Sequence, residues 1–256
     1  MKKLIYILLL VLLINSCNKI TPNPFNELIK DYPHNPDKLY EYENIYNESS
    51  NIVYAINKVN YPLFLTPKSY KFLAFRSNNI FFVNTNFSLN KTFIPQSLIE
   101  INNVDYIKRT NQTMLIDKET LSAYTKLFNA SLLDNIQLTV FSAYRSYEYQ
   151  ESLYNKEDNS FVAAPGTSEH QTGTALDIAN INTGLTIHFD ETKESLWLQN
   201  NAYKYGFIQR YPKGKEHITG YPYESWHYRY VGIKIAKIIF EQNLTLEEYF
   251  YQYIII

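Results

Sequence analysis

Two short stretches hold the side chains with the greatest chemical reach in this 256-residue chain: Ser168-Glu169-His170-Gln171-Thr172-Gly173-Thr174-Ala175-Leu176-Asp177 and Glu224-Ser225-Trp226-His227. Together they offer His170, Asp177 and His227, two imidazoles and a carboxylate, as ligands for a divalent metal. Three protein ligands leave a fourth position open, the arrangement of a catalytic zinc rather than a structural one. One carboxylate against a divalent ion leaves a net positive site, suited to an anionic transition state. Glu224, close to His227 but outside the ligand set, would take a proton from water as general base and return it to a leaving amine. The chemistry implied is metal-assisted hydrolysis.

Spacing alone does not bring these groups together. His170 and Asp177 are seven residues apart, which in a helix means about 10 Å along the axis and in a strand means opposite faces. Gly173 offers the escape, since a glycine there lets the chain turn and the two side chains converge. Residues 174–178 then read as the strand that carries Asp177 inward. Glu224 and His227 pose a similar problem, with Pro222 just upstream to bend the approach.

The elements that must position the site follow from periodicity. Leu121, Tyr124, Leu127, Phe128 and Leu132 recur at helical spacing, predicting a helix over 118–133. A short buried strand over 136–141 delivers Ser142-Ala143-Tyr144-Arg145-Ser146 at its end. A helix over 147–156 follows, with Ser146 able to cap it. A further helix over 194–205 stops at Gly206, and 207–211 is a strand. Tyr228 and Tyr230 alternate with His227, Arg229 and Val231, another strand signature. The tail holds a helix over 232–242 and a second opened by Thr245-Leu246-Glu247-Glu248, a capping box. Helices and strands come in mixed order without a βαβ rhythm or a phosphate-binding glycine loop. That favours an α+β fold with a small antiparallel sheet flanked by helices.

The N-terminal third reads differently. Met1-Lys2-Lys3 precedes an apolar run from Leu4 to Ile14, a secretory signal too short to span a bilayer. It ends at Ile14-Asn15-Ser16-Cys17, which resembles the lipobox of bacterial lipoproteins, although Asn15 is unusual within one. Residues 1–16 are therefore expected to be a lipoprotein signal peptide and Cys17 the lipidated residue, tethering the chain to the outside of the cell membrane. Cys17 is the only cysteine, so the exported part needs no disulfide. Residues 17–50, polar and carrying Pro22, Pro24, Pro33 and Pro36, are expected to be an extended tether. Runs at 52–56 and 80–83 predict strands of a small β-rich N-terminal subdomain over 51–90, ahead of a main domain over 91–256. The 24 basic and 25 acidic residues balance, which gives no field to draw nucleic acid.

Five motifs in order make the main domain identifiable. They are Ser142-Ala143-Tyr144-Arg145-Ser146, Pro165-Gly166-Thr167-Ser168-Glu169-His170, Gly173-x-Ala175-x-Asp177, Tyr205-Gly206-Phe207 and Glu224-x-Trp226-His227-Tyr228-Arg229-Tyr230-Val231-Gly232. Over about residues 90–250 the chain closely resembles the VanY-type D-alanyl-D-alanine carboxypeptidases, zinc peptidases of bacterial cell-wall metabolism in the LAS group. The resemblance implies one zinc on His170, Asp177 and His227, with Glu224 as catalytic base, and a peptidoglycan stem peptide as substrate. Ser225 stands where proline is more usual. It also implies that Arg145 serves the substrate, its guanidinium forming a planar fork for a terminal carboxylate. Gln150 and Ser168 would be polar partners, though either could instead brace local backbone. Glu169 is expected to orient a ligand or a loop. Trp226, Tyr228 and Tyr230 are expected to be core and pocket wall, and His34, His188 and His217 surface residues. Two alternatives stay open: an L,D-carboxypeptidase acting on tetrapeptide stems, and a zinc-binding wall-binding lipoprotein without catalysis.

Overall fold

Prolines and asparagines near the N-terminus start helices here rather than prevent them. The computed structural model describes residues 23–30, 34–50, 52–60, 72–73, 76–77, 80–108, 113–156 and 162–255. The expected signal peptide over 1–16 and Cys17 lie outside these residues. The chain divides into two compact units, Met1–Asn60 and Tyr61–Ile256.

In the first unit, Pro24 begins helix α1 (Pro24–Ile29), and the Asn23 side chain accepts a hydrogen bond from the Phe25 N–H. Helices α2 (Leu39–Ser49) and α3 (Ile52–Asn60) follow. Proline at the first helical position loses no bond that a helix needs. Phe25, Ile29, Tyr42, Ile56 and Val59 pack into one small core. Among the described residues both N-terminal expectations are thus corrected: Pro24–Ile29 and Leu39–Ser49 are helices instead of an extended tether, and 52–56 is helix instead of strand. The β-branched residues of 52–56 belong to a stretch whose buried positions, Ala55, Ile56 and Val59, fall at helical spacing.

The second unit opens with short strands: β1 (Phe72–Leu73), β2 (Arg76–Ser77), β3 (Ile80–Phe81), β4 (Phe87–Ser88), β5 (Leu98–Glu100) and β6 (Leu115–Asp117). Helix α4 (Lys118–Leu133) follows, capped by the Asp117 side chain on the Thr120 N–H. Then come β7 (Thr139–Ser142), α5 (Tyr147–Tyr154), β8 (Ala175–Ala179), α6 (Lys193–Asn201), β9 (Phe207–Tyr211), α7 (Glu216–Thr219), β10 (Glu224–Tyr230), α8 (Ile233–Glu241) and α9 (Leu246–Phe250). Strand β3 does not belong to a separate β-rich subdomain, because Ile80, Phe82 and Phe87 share a core with Ile208, Ile235 and Phe250. Ser146 caps α5 and Thr245–Glu248 form the reciprocal box on α9, both as the residue types predict.

The main sheet has four antiparallel strands in the order β7-β8-β10-β9, which gives the expected α+β class. Alternation divides its residues between two faces. Leu176, Ile178, Phe207 and Tyr228 look into a core completed by Tyr124, Leu127 and Phe128 of α4 and Leu198 of α6. Asp177, His227 and Arg229 take the opposite face. Packing on the first face therefore anchors the strands whose second face carries the chemistry.

Gly206 ends the 3₁₀ turn after α6 at φ +90°, and a Cβ there would lie 2.7 Å from a Tyr230 ring carbon and 3.0 Å from the Gly232 carbonyl carbon. Gly214 sits at φ +81° with nothing within 4 Å. Gly214→Ala should therefore cost only the left-handed backbone term, about 1 kcal/mol. Gly206→Ala should add overpacking and cost about 2–4 kcal/mol. Thermal unfolding midpoints of the two variants check this; equal shifts would contradict the packing account.

Candidate active site

The turn that the His170–Asp177 spacing demands is present. Residues Glu169–Thr172 form one 3₁₀ turn, closed by Gly173 at φ +73°. A side chain at Gly173 would meet Leu98 Cδ2 at 2.9 Å and the Asp117 nitrogen at 3.3 Å, so this position favours glycine on both counts. The chain then enters β8, which sets Asp177 directly opposite His227 on β10. A register irregularity between Glu224 and Tyr228 solves the second spacing problem. Residues three apart in a regular strand face opposite sides, and an irregularity of this kind re-aims one of them.

The donor atoms of His170, Asp177 and His227 all lie within 4.8 Å of one another. His170 Nε2 is 3.2 Å from Asp177 Oδ2, and His227 Nδ1 is 3.0 Å from Asp177 Oδ1. Two donors on one tetrahedral zinc would be about 3.3 Å apart, so the group needs little rearrangement to hold an ion. His170 Nδ1 donates to the Ala143 carbonyl at 2.5 Å, which leaves Nε2 as the buried nitrogen without a hydrogen-bond partner. That tautomer is the one a ligand needs. Two imidazoles and one carboxylate suit zinc.

Charges around the group are arranged unevenly. Burial, reinforced by the Arg145 charge, lowers the His170 pKa to about 4, so this ring is neutral near pH 7. Burial also opposes a charge on His227, but the hydrogen bond to Asp177 and the facing Glu169 carboxylate outweigh it and raise that ring to about 9. Asp177, although buried, is held well below the usual carboxylate range by the two imidazoles. Glu224 Oε2 stands 3.7 Å from His227 Nδ1. Burial lifts Glu224 to about 7, a value suited to proton transfer in both directions near neutrality.

A cavity of about 360 Å³ opens over these residues, walled in part by Tyr149, Leu153, Leu185 and Trp226. Arg145, Gln150 and Ser168 line it too. Arg145 is half-buried, its Nη2 is 3.9 Å from Asp177 Oδ2, and its backbone N–H donates to the His170 carbonyl at 3.2 Å. Gln150 braces local backbone, its Nε2 donating to the Ala163 carbonyl at 2.7 Å, and its Oε1 is buried without a hydrogen-bond partner. Ser168 precedes the 3₁₀ turn without capping it through its side chain. Tyr228 is core, and Trp226 and Tyr230 are half-buried against it. His188 and His217 are exposed, and His34 is half-buried, edge-on to Tyr42.

Of the buried charges beneath the site, the sequence singled out Glu169, expected to orient a ligand or a loop, but gave no reason to look for its partners. Arg210, Arg229, Glu169 and Glu247 are each 1% exposed or less. Arg210 grips both Glu247 oxygens, at 2.8 and 2.5 Å, and reaches Glu169 Oε1 at 2.8 Å. Arg229 Nη1 meets the same Oε1 at 2.8 Å. A usable signal was present: an arginine in the otherwise apolar and aromatic run 207–211 must either face water or find a buried carboxylate. Tyr211 was also missed; its ring packs 4.9 Å from that of His227.

The VanY model, D-alanyl-D-alanine carboxypeptidase, matches residues 113–233. The putative carboxypeptidase YodJ of Bacillus subtilis is 42% identical over 184 residues, 68% of this chain and 67% of that protein. The chain spans only 51% and 57% of two enterococcal D-alanyl-D-alanine carboxypeptidases. Among solved structures, the LdcB LD-carboxypeptidase superposes with a TM-score of 0.64 at 37% identity, covering 73% of this chain and 97% of that one. A vancomycin-resistance D,D-pentapeptidase VanY in complex with Zn(II) gives a TM-score of 0.51 at 34% identity, covering 65% of this chain and 96% of that one. The matched stretch contains Arg145, His170, Asp177, Glu224 and His227, and the chain belongs to the VanY family of D-alanyl-D-alanine carboxypeptidases.

Proposed function

We propose that this protein is a zinc carboxypeptidase that removes the C-terminal D-alanine from peptidoglycan stem peptides. The observation that carries the reading is the convergence, in one cavity, of a three-donor set, a carboxylate with a pKa near 7 and a guanidinium. His170 Nε2, Asp177 and His227 Nδ1 would hold the metal. When bound, zinc acidifies water and polarises a carbonyl oxygen. Glu224 takes the proton from the attacking water and passes it to the departing D-alanine amine. Arg145 offers its fork to the terminal carboxylate, with Gln150 and the Ser168 hydroxyl as further polar groups on the same wall. The aromatic and aliphatic wall excludes water from the peptide.

The high structural similarity to an LD-carboxypeptidase favours a second reading within the same chemistry, cleavage of tetrapeptide stems after an L-centre. A purely wall-binding role has no use for a buried carboxylate beside the donor set. Action outside the cytoplasm, through a lipid on Cys17, follows from the N-terminal sequence together with the wall-directed substrate; no described helix is long and apolar enough to cross a membrane.

Two measurements test this function. Glu224→Ala should lower kcat by about 10²–10⁴-fold while elemental analysis still finds one zinc per chain; full turnover in the variant would remove Glu224 from the mechanism. Purified protein incubated with synthetic penta- and tetrapeptide stems should release D-alanine, followed by mass, from the pentapeptide. Release from the tetrapeptide alone would replace the D,D assignment with the L,D one.

A further inference from the structure

Two buried polar atoms face each other behind the donor set. His227 Nε2 and Glu169 Oε2 are 3.6 Å apart, and neither makes a hydrogen bond to any other described group. His227 turns its other nitrogen, Nδ1, toward Asp177 and Glu224. A ring that gives its Nδ1 lone pair to a metal must carry its proton on Nε2. That N–H then needs an acceptor, and the Glu169 carboxylate faces it from 3.6 Å, close enough for a small shift to complete the bond.

Glu169 is itself held against rotation. Its Oε1 accepts a hydrogen bond from Arg210 Nε and forms an ion pair with Arg229 Nη1, both at 2.8 Å, and Arg210 is locked in turn by both oxygens of Glu247 on α9. Asn84 Nδ2 adds a contact to Glu247 at 3.2 Å. Two carboxylates and two guanidiniums make the cluster neutral, so it adds no net charge beneath the metal position. Buried ion pairs of this kind are weak contributors to stability compared with apolar packing. What this one does have is an oxygen aimed at an imidazole.

We propose that Glu169 is the positioning residue of His227, fixing the Nε2–H tautomer and the ring angle so that Nδ1 faces the metal. The inference rests on His227 being a zinc ligand, as argued above. It assigns Glu169 a part in metal affinity and none in proton transfer to substrate.

The test uses the full chain, stripped of metal and titrated with zinc against a chromophoric chelator. Glu169→Gln should weaken zinc binding about 10- to 100-fold. Glu247→Gln disturbs the same cluster without touching His227 and should leave zinc affinity within about twofold. Equal weakening in both variants would mean that the cluster acts only as structure, and unchanged affinity in Glu169→Gln would overturn the proposal. Should Glu169→Gln fail to fold, histidine ¹⁵N NMR of the wild-type zinc form decides: a protonated Nε2 on His227 is required, and a metal-bound Nε2 refutes it. His227→Ala separates the two levels. Wild-type zinc affinity in that variant sinks the functional reading itself, whereas loss of zinc there with normal binding by Glu169→Gln sinks only this inference.

Discussion

Antiparallel pairing of β8 with β10 sets Asp177 opposite His227, and the donor set exists only at that register. A slip of one residue would turn Leu176 or Ile178 toward the cavity and bury Asp177 in the apolar layer. The register is held from the other face, where Leu176, Ile178 and Tyr228 pack on α4. Moving those side chains into water would cost several kcal/mol at about 1.5–3 kcal/mol each, more than any one exposed contact could restore. The hydrophobic layer therefore acts as the ruler for the metal site on the opposite face.

Burying so many charges raises a second constraint. Taken alone, a carboxylate such as Glu169 in the interior would be driven toward its neutral form. Arg210 and Arg229 reverse that and keep it ionised. Glu247 balances Arg210, and the C-terminal helix that carries it is fixed by its capping box and by Phe250 stacked 4.4 Å from Phe82. Helix α9 thus reaches, through three side chains, the rear of a donor ring on β10. Sheet register brings the donors to one place, and the buried ion cluster stands behind one of them.

Much of this was legible in the residues. Local rules placed α4, α5, the Gly206 stop, β9 and β10, because each has strong periodicity or a capping residue within a few positions. Gly173 as the hinge between His170 and Asp177 could be argued from spacing alone. Other features were not readable because they depend on contacts distant in sequence. The irregularity that turns Glu224 toward His227 is a property of pairing with β9. The Arg210–Glu247 and Arg229–Glu169 pairs span dozens of residues, and although Glu169 and Arg229 lie within motifs, nothing local pairs them. In the N-terminal unit, prolines and β-branched residues suggested extended chain, but tertiary packing of Phe25, Tyr42 and Ile56 selected helices. Propensity is a weak prior where a small core can form.

Sharing of one ion by His170, Asp177 and His227 is the central claim, and zinc K-edge X-ray absorption on the intact protein tests it most directly. One zinc per chain with two imidazole nitrogens and carboxylate oxygen at about 2.0–2.2 Å is the predicted first shell. A zinc with a single imidazole, a sulfur ligand at about 2.3 Å, or no stoichiometric zinc at all would contradict it.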